Sequence, residues 1–404
     1  MRRSRRAVLQ ALAAGPALGA VPAADSTAPA AGIYERLGVR PILNFRGTYT
    51  ALGASKIVPD LHQAMAAASQ QYVSLEELQD RVGEKLAALA GTPAAMVTSG
   101  AAGAITLGTC ACLTGEDWAR VTRLPDVAGM KSEVLIQKVH RNAFDHAVRN
   151  TGVRLVEVET LDGIRGALSE RTAMMFYLGG QSGDWVWPDP LPVADCHAIL
   201  RQASVPLMVD AANMLPPWDN VRRLAAMGVE LICLSGGKHM RGPQCSGILA
   251  GRADLIRAAR LNSSPNEDAL GRPMKVGREE IVGVWLAAER YAKLDFAALD
   301  RACQRQAEFL REELGRIQGL RTKFSPFDRT RRVHRVIVEW DEGALGITAA
   351  ECEQKLLEGE PRIALLRSQP QGLLFTLFMN DEGDEIAAAR RMREIFHTAP
   401  GKAG

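Results

Sequence analysis

The run Leu231-Ile232-Cys233-Leu234-Ser235-Gly236-Gly237-Lys238 is apolar, enters a Ser-Gly-Gly turn and then presents a lysine. An amine at the end of a buried strand loses solvent, which disfavours its charged form and makes it a better nucleophile. A lysine that holds a carbonyl compound as a Schiff base needs that environment. The glycines allow a tight turn and close approach of backbone to a ligand, and Ser235 offers a donor to a phosphate oxygen. Earlier, Val205–Ala212 reads as a second apolar strand that ends in the carboxylate of Asp210. A third run, Val97–Ala104, is a strand followed by small residues that open a helix. There the backbone N–H groups of Ser99, Gly100 and Ala101 meet the positive end of a helix dipole, a good setting for phosphate. A fourth strand, Val134–Val139, delivers His140, Arg141 and Asn142. A planar side chain just past that strand is placed to stack on an aromatic ring. His140 is the candidate, with Arg141 as a pocket neighbour and His146 as a structural residue in the helix that follows.

Each motif alone has a plainer reading: an exposed lysine, a carboxylate capping the next turn, a strand-to-helix turn with no ligand. Together, in this order and each at a strand end, they point to pyridoxal 5'-phosphate. That cofactor needs a lysine for its aldehyde, an acid to keep its pyridine nitrogen protonated, and a cup for its phosphate. Strands able to position them are expected at Ala95–Thr98, Val134–Val139, Leu155–Val158, Ala173–Leu178, Leu207–Val209, Leu231–Leu234 and Ser246–Ala250. Helical patterns alternate with them, among them Asp60–Ala68, Leu75–Leu89 and Ala143–Asn150. This is the pattern of an α/β domain with a mostly parallel sheet, in which ligands gather at the carboxyl ends of the strands. A long helical stretch, Glu279–Ile317, leads to a smaller α+β region. Its expected strands are Val333–Trp340 and Leu373–Phe378, and its helices Ala349–Leu357 and Glu385–Phe396. The boundaries drawn from this are 1–32 for a leader and linker, 33–290 for the large domain and 291–404 for the small one.

The chain has 404 residues, 47% hydrophobic and 24% charged, with a net charge of +3. That is a globular composition with room for two domains, and it lacks the basic balance of a nucleic-acid binder. The seven cysteines form no set of pairs at metal-ligand spacing and read as free thiols, mostly buried; no metal is expected. Ser4-Arg5-Arg6-Ala7-Val8-Leu9-Gln10 follows the twin-arginine export pattern, with a weakly apolar stretch from Ala7 to Val21 too short to span a membrane. An Ala- and Pro-rich linker, residues 24–32, follows. The expectation is an exported, periplasmic protein that meets the twin-arginine translocation machinery and has no membrane span once mature.

Leu37–Pro41, Arg46-Gly47-Thr48-Tyr49-Thr50, Val97–Ala104, Lys131–Asn142, Val209–Ala212 and Ser235–Gln244 resemble the selenocysteine-synthase-like enzymes, as do Asn262 and Gly271–Gly277. That group includes the D-glucosaminate-6-phosphate ammonia lyases. The resemblance implies the aspartate-aminotransferase fold, type I among enzymes of this cofactor, with a seven-stranded-type sheet. It also implies Lys238 as the Schiff-base lysine, Asp210 at the pyridine nitrogen, and Ser99, Gly100 and Ser235 in the phosphate cup. Members build their sites at subunit interfaces, so a homodimer or larger assembly is expected, with Lys275 and Arg46 serving a neighbouring pocket. The tRNA-modifying branch carries an added N-terminal domain, whereas the positions before Ile33 here read as leader and linker, so no nucleic-acid partner is expected.

The activity this implies is α,β-elimination with ammonia release from an amino acid or amino-sugar acid. Racemisation and transamination share the same first proton transfer and stay open, as does a binding protein without turnover. A substrate carboxylate calls for an arginine, and Arg362, Arg241 and Arg46 are the candidates. Cys245 stands where relatives of this group place a hydroxyl residue.

Overall fold

The computed structural model of the chain describes residues 31–180, 190–327, 331–368 and 371–398. The twin-arginine motif and most of the linker lie outside them; residues 31 and 32, expected to be linker, instead open the helix Ala31–Arg36. Among the described residues, those up to Ile42 fall in one unit and those from Leu43 onward in another.

Within the second unit a seven-stranded sheet carries the large lobe. Its strands are β1 (Ala94–Thr98), β2 (Glu133–Gln137), β3 (Arg154–Val158), β4 (Thr172–Leu178), β5 (Leu207–Asp210), β6 (Leu231–Ser235) and β7 (Gly247–Gly251), in the spatial order β1-β7-β6-β5-β4-β2-β3. All neighbours pair parallel except β7, which runs antiparallel between β1 and β6. Apart from the edge strand β3, which is partly exposed, these strands are near-continuous apolar runs because both faces are covered. Alternation still decides which side each residue serves. Leu135, Tyr177, Val209, Ile232 and Ile248 join one core with Val82 and Leu86 of α1 (Leu75–Ala90). Val134, Phe176, Met208, Cys233 and Leu249 join the other with Leu107 of α2 (Gly100–Thr114).

The expected helical stretch Glu279–Ile317 is two helices, α3 (Arg278–Ala292) and α4 (Phe296–Gly315). The break is local chemistry: Asp295 leaves the helical conformation and accepts from the Ala298 N–H, capping α4. After α4 comes an antiparallel sheet with β8 (Leu320–Phe324), β9 (His334–Trp340), β10 (Leu366–Arg367) and β11 (Leu373–Leu377), ordered β10-β11-β9-β8. β8 and β10 were not expected. β8 is mostly exposed and polar, and β10 is two residues long, so neither carries an apolar run. Val336, Val338, Trp340 and Phe375 face a third core with Leu310, Leu356 and Met392. Phe45 belongs to this core too, its N–H donating to Ala364 and its carbonyl accepting from Thr376. The segment that follows Phe45 therefore starts on the small lobe and returns to the large one. No helix among the described residues is long and apolar enough to cross a membrane.

Candidate active site

The parallel strands deliver their carboxyl ends to one edge of the sheet, where Asp210 pairs in register with Leu178 on one side and Cys233 on the other. Lys238 comes just past the end of β6, after the Gly236-Gly237 turn. Gly237 has no room for a side chain: a Cβ there would lie 2.5 Å from the Gln244 Cα. The Lys238 amine donates to Asn213 Oδ1 at 3.0 Å. Burial pulls its pKa below the usual lysine range, Asp210 opposes that shift, and Arg331 adds to it. Asp210 is buried, its Oδ1 accepting from the Ala212 N–H at 3.0 Å. Burial pushes its carboxyl up, and the Lys238 charge and the Ala212 bond partly offset that.

The second part of the site forms across β7. Gly247 pairs with Thr98 of β1 on one side and Ser235 of β6 on the other. It packs so closely that a Cβ would fall 2.4 Å from the Gly100 carbonyl carbon. Ser99, Gly100 and Ala101 are thereby brought beside Ser235 at the start of α2. Ser99 stands at the N-cap, yet its hydroxyl makes no capping bond. Gly100 has φ +74°, and nothing lies within 4 Å of where its Cβ would stand. The chain at the start of α2 is thus open on the side where a Gly100 side chain would stand, with the Ser99 hydroxyl one residue away.

His140 closes a 3-10 turn, Lys138–His140, that ends β2 earlier than the expected Val139. It is fully buried, edge-on to Tyr177 with centroids 4.5 Å apart. The Leu178 N–H donates to its Nδ1 at 3.3 Å, so the ring proton sits on Nε2, which finds no acceptor among the described residues. Burial holds its pKa down at about 4.

The other expected ligand-binding cations are dispersed. Arg141 is taken up by the buried Asp145, Nε to Oδ2 2.6 Å, and by Glu157. Arg362 donates through Nε to the Leu357 carbonyl at 2.9 Å, and Arg241 through Nε to that of Lys56 at 2.9 Å. Lys275 is exposed. Arg46 lies over the Tyr49 ring, 4.7 Å from its centroid, with its Nε buried. The segment after Arg46 roofs the lysine loop: Ser55 Oγ donates to the Gly237 carbonyl at 2.7 Å, and Gln244 Nε2 to that of Thr50 at 2.9 Å.

No family model matches the chain. A 5'-C-glycyluridine monooxygenase-decarboxylase from a Streptomyces species is 31% identical over 90% of this chain and 91% of its own. A D-glucosaminate-6-phosphate ammonia lyase from Salmonella typhimurium is 29% identical over 90% and 97%. The chain belongs to the selenocysteine-synthase-like family of PLP-dependent enzymes. A solved D-glucosaminate-6-phosphate ammonia-lyase superposes with a TM-score of 0.79 at 28% identity, over 91% of this chain and 98% of that one. A NifS-like protein at 14% identity and TM-score 0.59 shares the fold. As a member of this family the chain is an enzyme of the aspartate-aminotransferase fold that uses pyridoxal 5'-phosphate. Its own residues fit that cofactor. A buried carboxylate stands near a desolvated lysine, the open cradle at Gly100 adjoins the free Ser99 hydroxyl, and His140 presents a buried N–H without an acceptor among the described residues. Asn213, Ser55 and His239 were not singled out from the sequence. Asn213 directly follows the Asp-Ala-Ala run and was the one within reach of sequence reasoning.

Proposed function

We propose that this enzyme releases ammonia by α,β-elimination from an amino acid or amino-sugar acid. The observation that supports the proton transfer is the Lys238 amine, desolvated at the strand end, held 3.0 Å from Asn213 Oδ1 and within the field of Asp210; the likeness to the ammonia lyase over nearly the whole chain favours elimination after it. Lys238 would hold the cofactor, Asp210 its ring nitrogen, His140 one side of its ring, and Ser99, Gly100, Ala101 and Ser235 its phosphate. Pyridoxal 5'-phosphate supplies, when bound, a carbonyl for the substrate amine and a ring that takes up the electron pair released at Cα.

The chain's own residues do the rest. Burial leaves a larger share of the freed Lys238 amine neutral, so it accepts the Cα proton. Asn213 Oδ1 holds that amine in place while it does so. The β-hydroxyl leaves as water with that proton. The resulting enamine takes up water and breaks down to ammonia and a 2-oxo acid, so atoms balance without an oxidant.

Absorbance of the cofactor-loaded protein, followed while D- and L-amino acids and aldonic amino acids are added, tests the reading. A band shift with one class, accompanied by ammonia and a 2-oxo acid and abolished in Lys238→Ala, is the expected result. A shift without ammonia, in any class, sinks it. The Streptomyces relative's name gives a second reading, oxidative loss of the substrate carboxylate, which predicts oxygen uptake and carbon dioxide release instead. The same proposal includes export by the twin-arginine route and self-association. Tyr72, 97% exposed, and its neighbours Val73 and Leu75 form an apolar patch that favours a second copy.

A further inference from the structure

His239, next to Lys238, is only 4% exposed and sits among cations. Arg331 Nη1 stands 3.5 Å from its Nε2. A guanidinium only donates, so Nε2 accepts and the ring proton lies on Nδ1. That Nδ1 is buried with no acceptor among the described residues. Each charged group among them that bears on the ring is positive: Arg331, Lys238 and Arg335. With burial, they hold the imidazole pKa well below its usual range, so the ring is neutral.

Register shows what else borders this corner. Arg335 of β9 lies opposite Thr376 of β11, so the two side chains share a face of the small sheet. Gly47 packs on the same face, where a Cβ would stand 3.6 Å from Thr376 Cγ2. Arg46, next to it, buries an Nε that also finds no acceptor among the described residues. The Phe378 ring, 4.8 Å from that of His239 between centroids, keeps water away. Buried donors without acceptors among the described residues, beside two arginines, suit an acceptor that carries negative charge: an oxyanion.

We propose that this corner docks the carboxylate of the substrate, with His239 donating from Nδ1 to one oxygen, Arg46 flanking it and Arg331 fixing the tautomer. The inference rests on the amino-acid reading above and makes His239 the residue that separates acid from amide. Arg241 and Arg362, each bound to a backbone carbonyl, are not needed for that recognition.

The test uses the full, cofactor-loaded chain. Acetate binding is measured by calorimetry, and D- and L-serine are compared with the serinamides by absorbance. His239→Phe removes the donor and keeps a ring; His239→Asn returns an N–H at the Nδ1 position; His239→Leu replaces the Phe variant should that not fold. Acetate affinity and the preference for acid over amide should fall about tenfold to a hundredfold in the donor-less variant and stay within about threefold in the Asn variant. A donor-less variant that binds acetate and prefers the acid as the parent does would overturn the proposal, as would a parent that binds no acetate. If acetate follows the expected pattern while neither serine isomer shifts the spectrum, the anion corner stands and the proposed elimination falls.

Discussion

Burial that keeps His140 neutral has a thermodynamic signature. Its folded-state pKa is about 4 against an ordinary value of 6.5, so between those values the unfolded chain binds the extra proton first. Stability should therefore be whole above pH 6.5 and fall as the pH drops toward 4, by up to about 3 kcal/mol from this residue alone. Urea unfolding at pH 7 and pH 5 measures it. His140→Phe should flatten the slope, with His239 leaving a remainder of the same sign; an unchanged slope would show that His140 is solvated. The sequence places such residues unevenly. Lys238, Asp210 and Ser99 stand at the ends of apolar runs, so their placement at the strand ends was legible. The arginines were not, because nothing local shows whether a guanidinium is taken. Arg141 loses its fork to Asp145, four positions on, and to Glu157 on the next strand. Ser55 reaches Gly237 across 182 positions of chain.

Among the elements, the strand β7 decides the geometry of the cup. It runs against its neighbours and carries a glycine where β1 and β6 must both come close. Gly247→Ala would set a methyl 2.4 Å from the Gly100 carbonyl carbon and 2.9 Å from the Ala101 nitrogen. Backbone cannot yield as a side-chain end does, so the start of α2 must shift. The expected cost is about 1–3 kcal/mol of stability, with cofactor retention on gel filtration weakened well before the fold is lost. Unaltered retention would mean that the first turn of α2 does not hold the phosphate. Strands with buried apolar runs were legible to within a residue or two, and β7 among them, although its direction was not. An apolar run does not say which way its neighbours point. The break between α3 and α4 was hidden for a related reason: Leu294 and Phe296 continue the apolar pattern, and only the Asp295 cap interrupts it.

At the scale of the whole molecule, the large sheet and the small sheet pack separate cores. Phe45, far up the chain, belongs to that of the small sheet. A short segment between a helix and a glycine turn carries too little pattern to reveal its partner. The leader is the opposite case: legible as a motif, and outside the described residues. Its test turns on the difference between arginine and lysine. Both are cations, but only arginine presents a planar fork of donors. A leader that acted by charge alone would be unaffected when Arg5 and Arg6 both become lysine, whereas a route that reads the guanidinium pair would fail. The full chain, produced in a bacterium with that route, should appear in the periplasmic fraction with its cofactor. The doubly substituted chain should accumulate in the cytoplasm, equally folded and equally yellow. Equal distribution of the two would remove the export reading and leave residues 1–30 as a basic extension. It would also return phosphorylated amino-sugar acids, which are scarce outside the cytoplasm, to the substrates worth testing first.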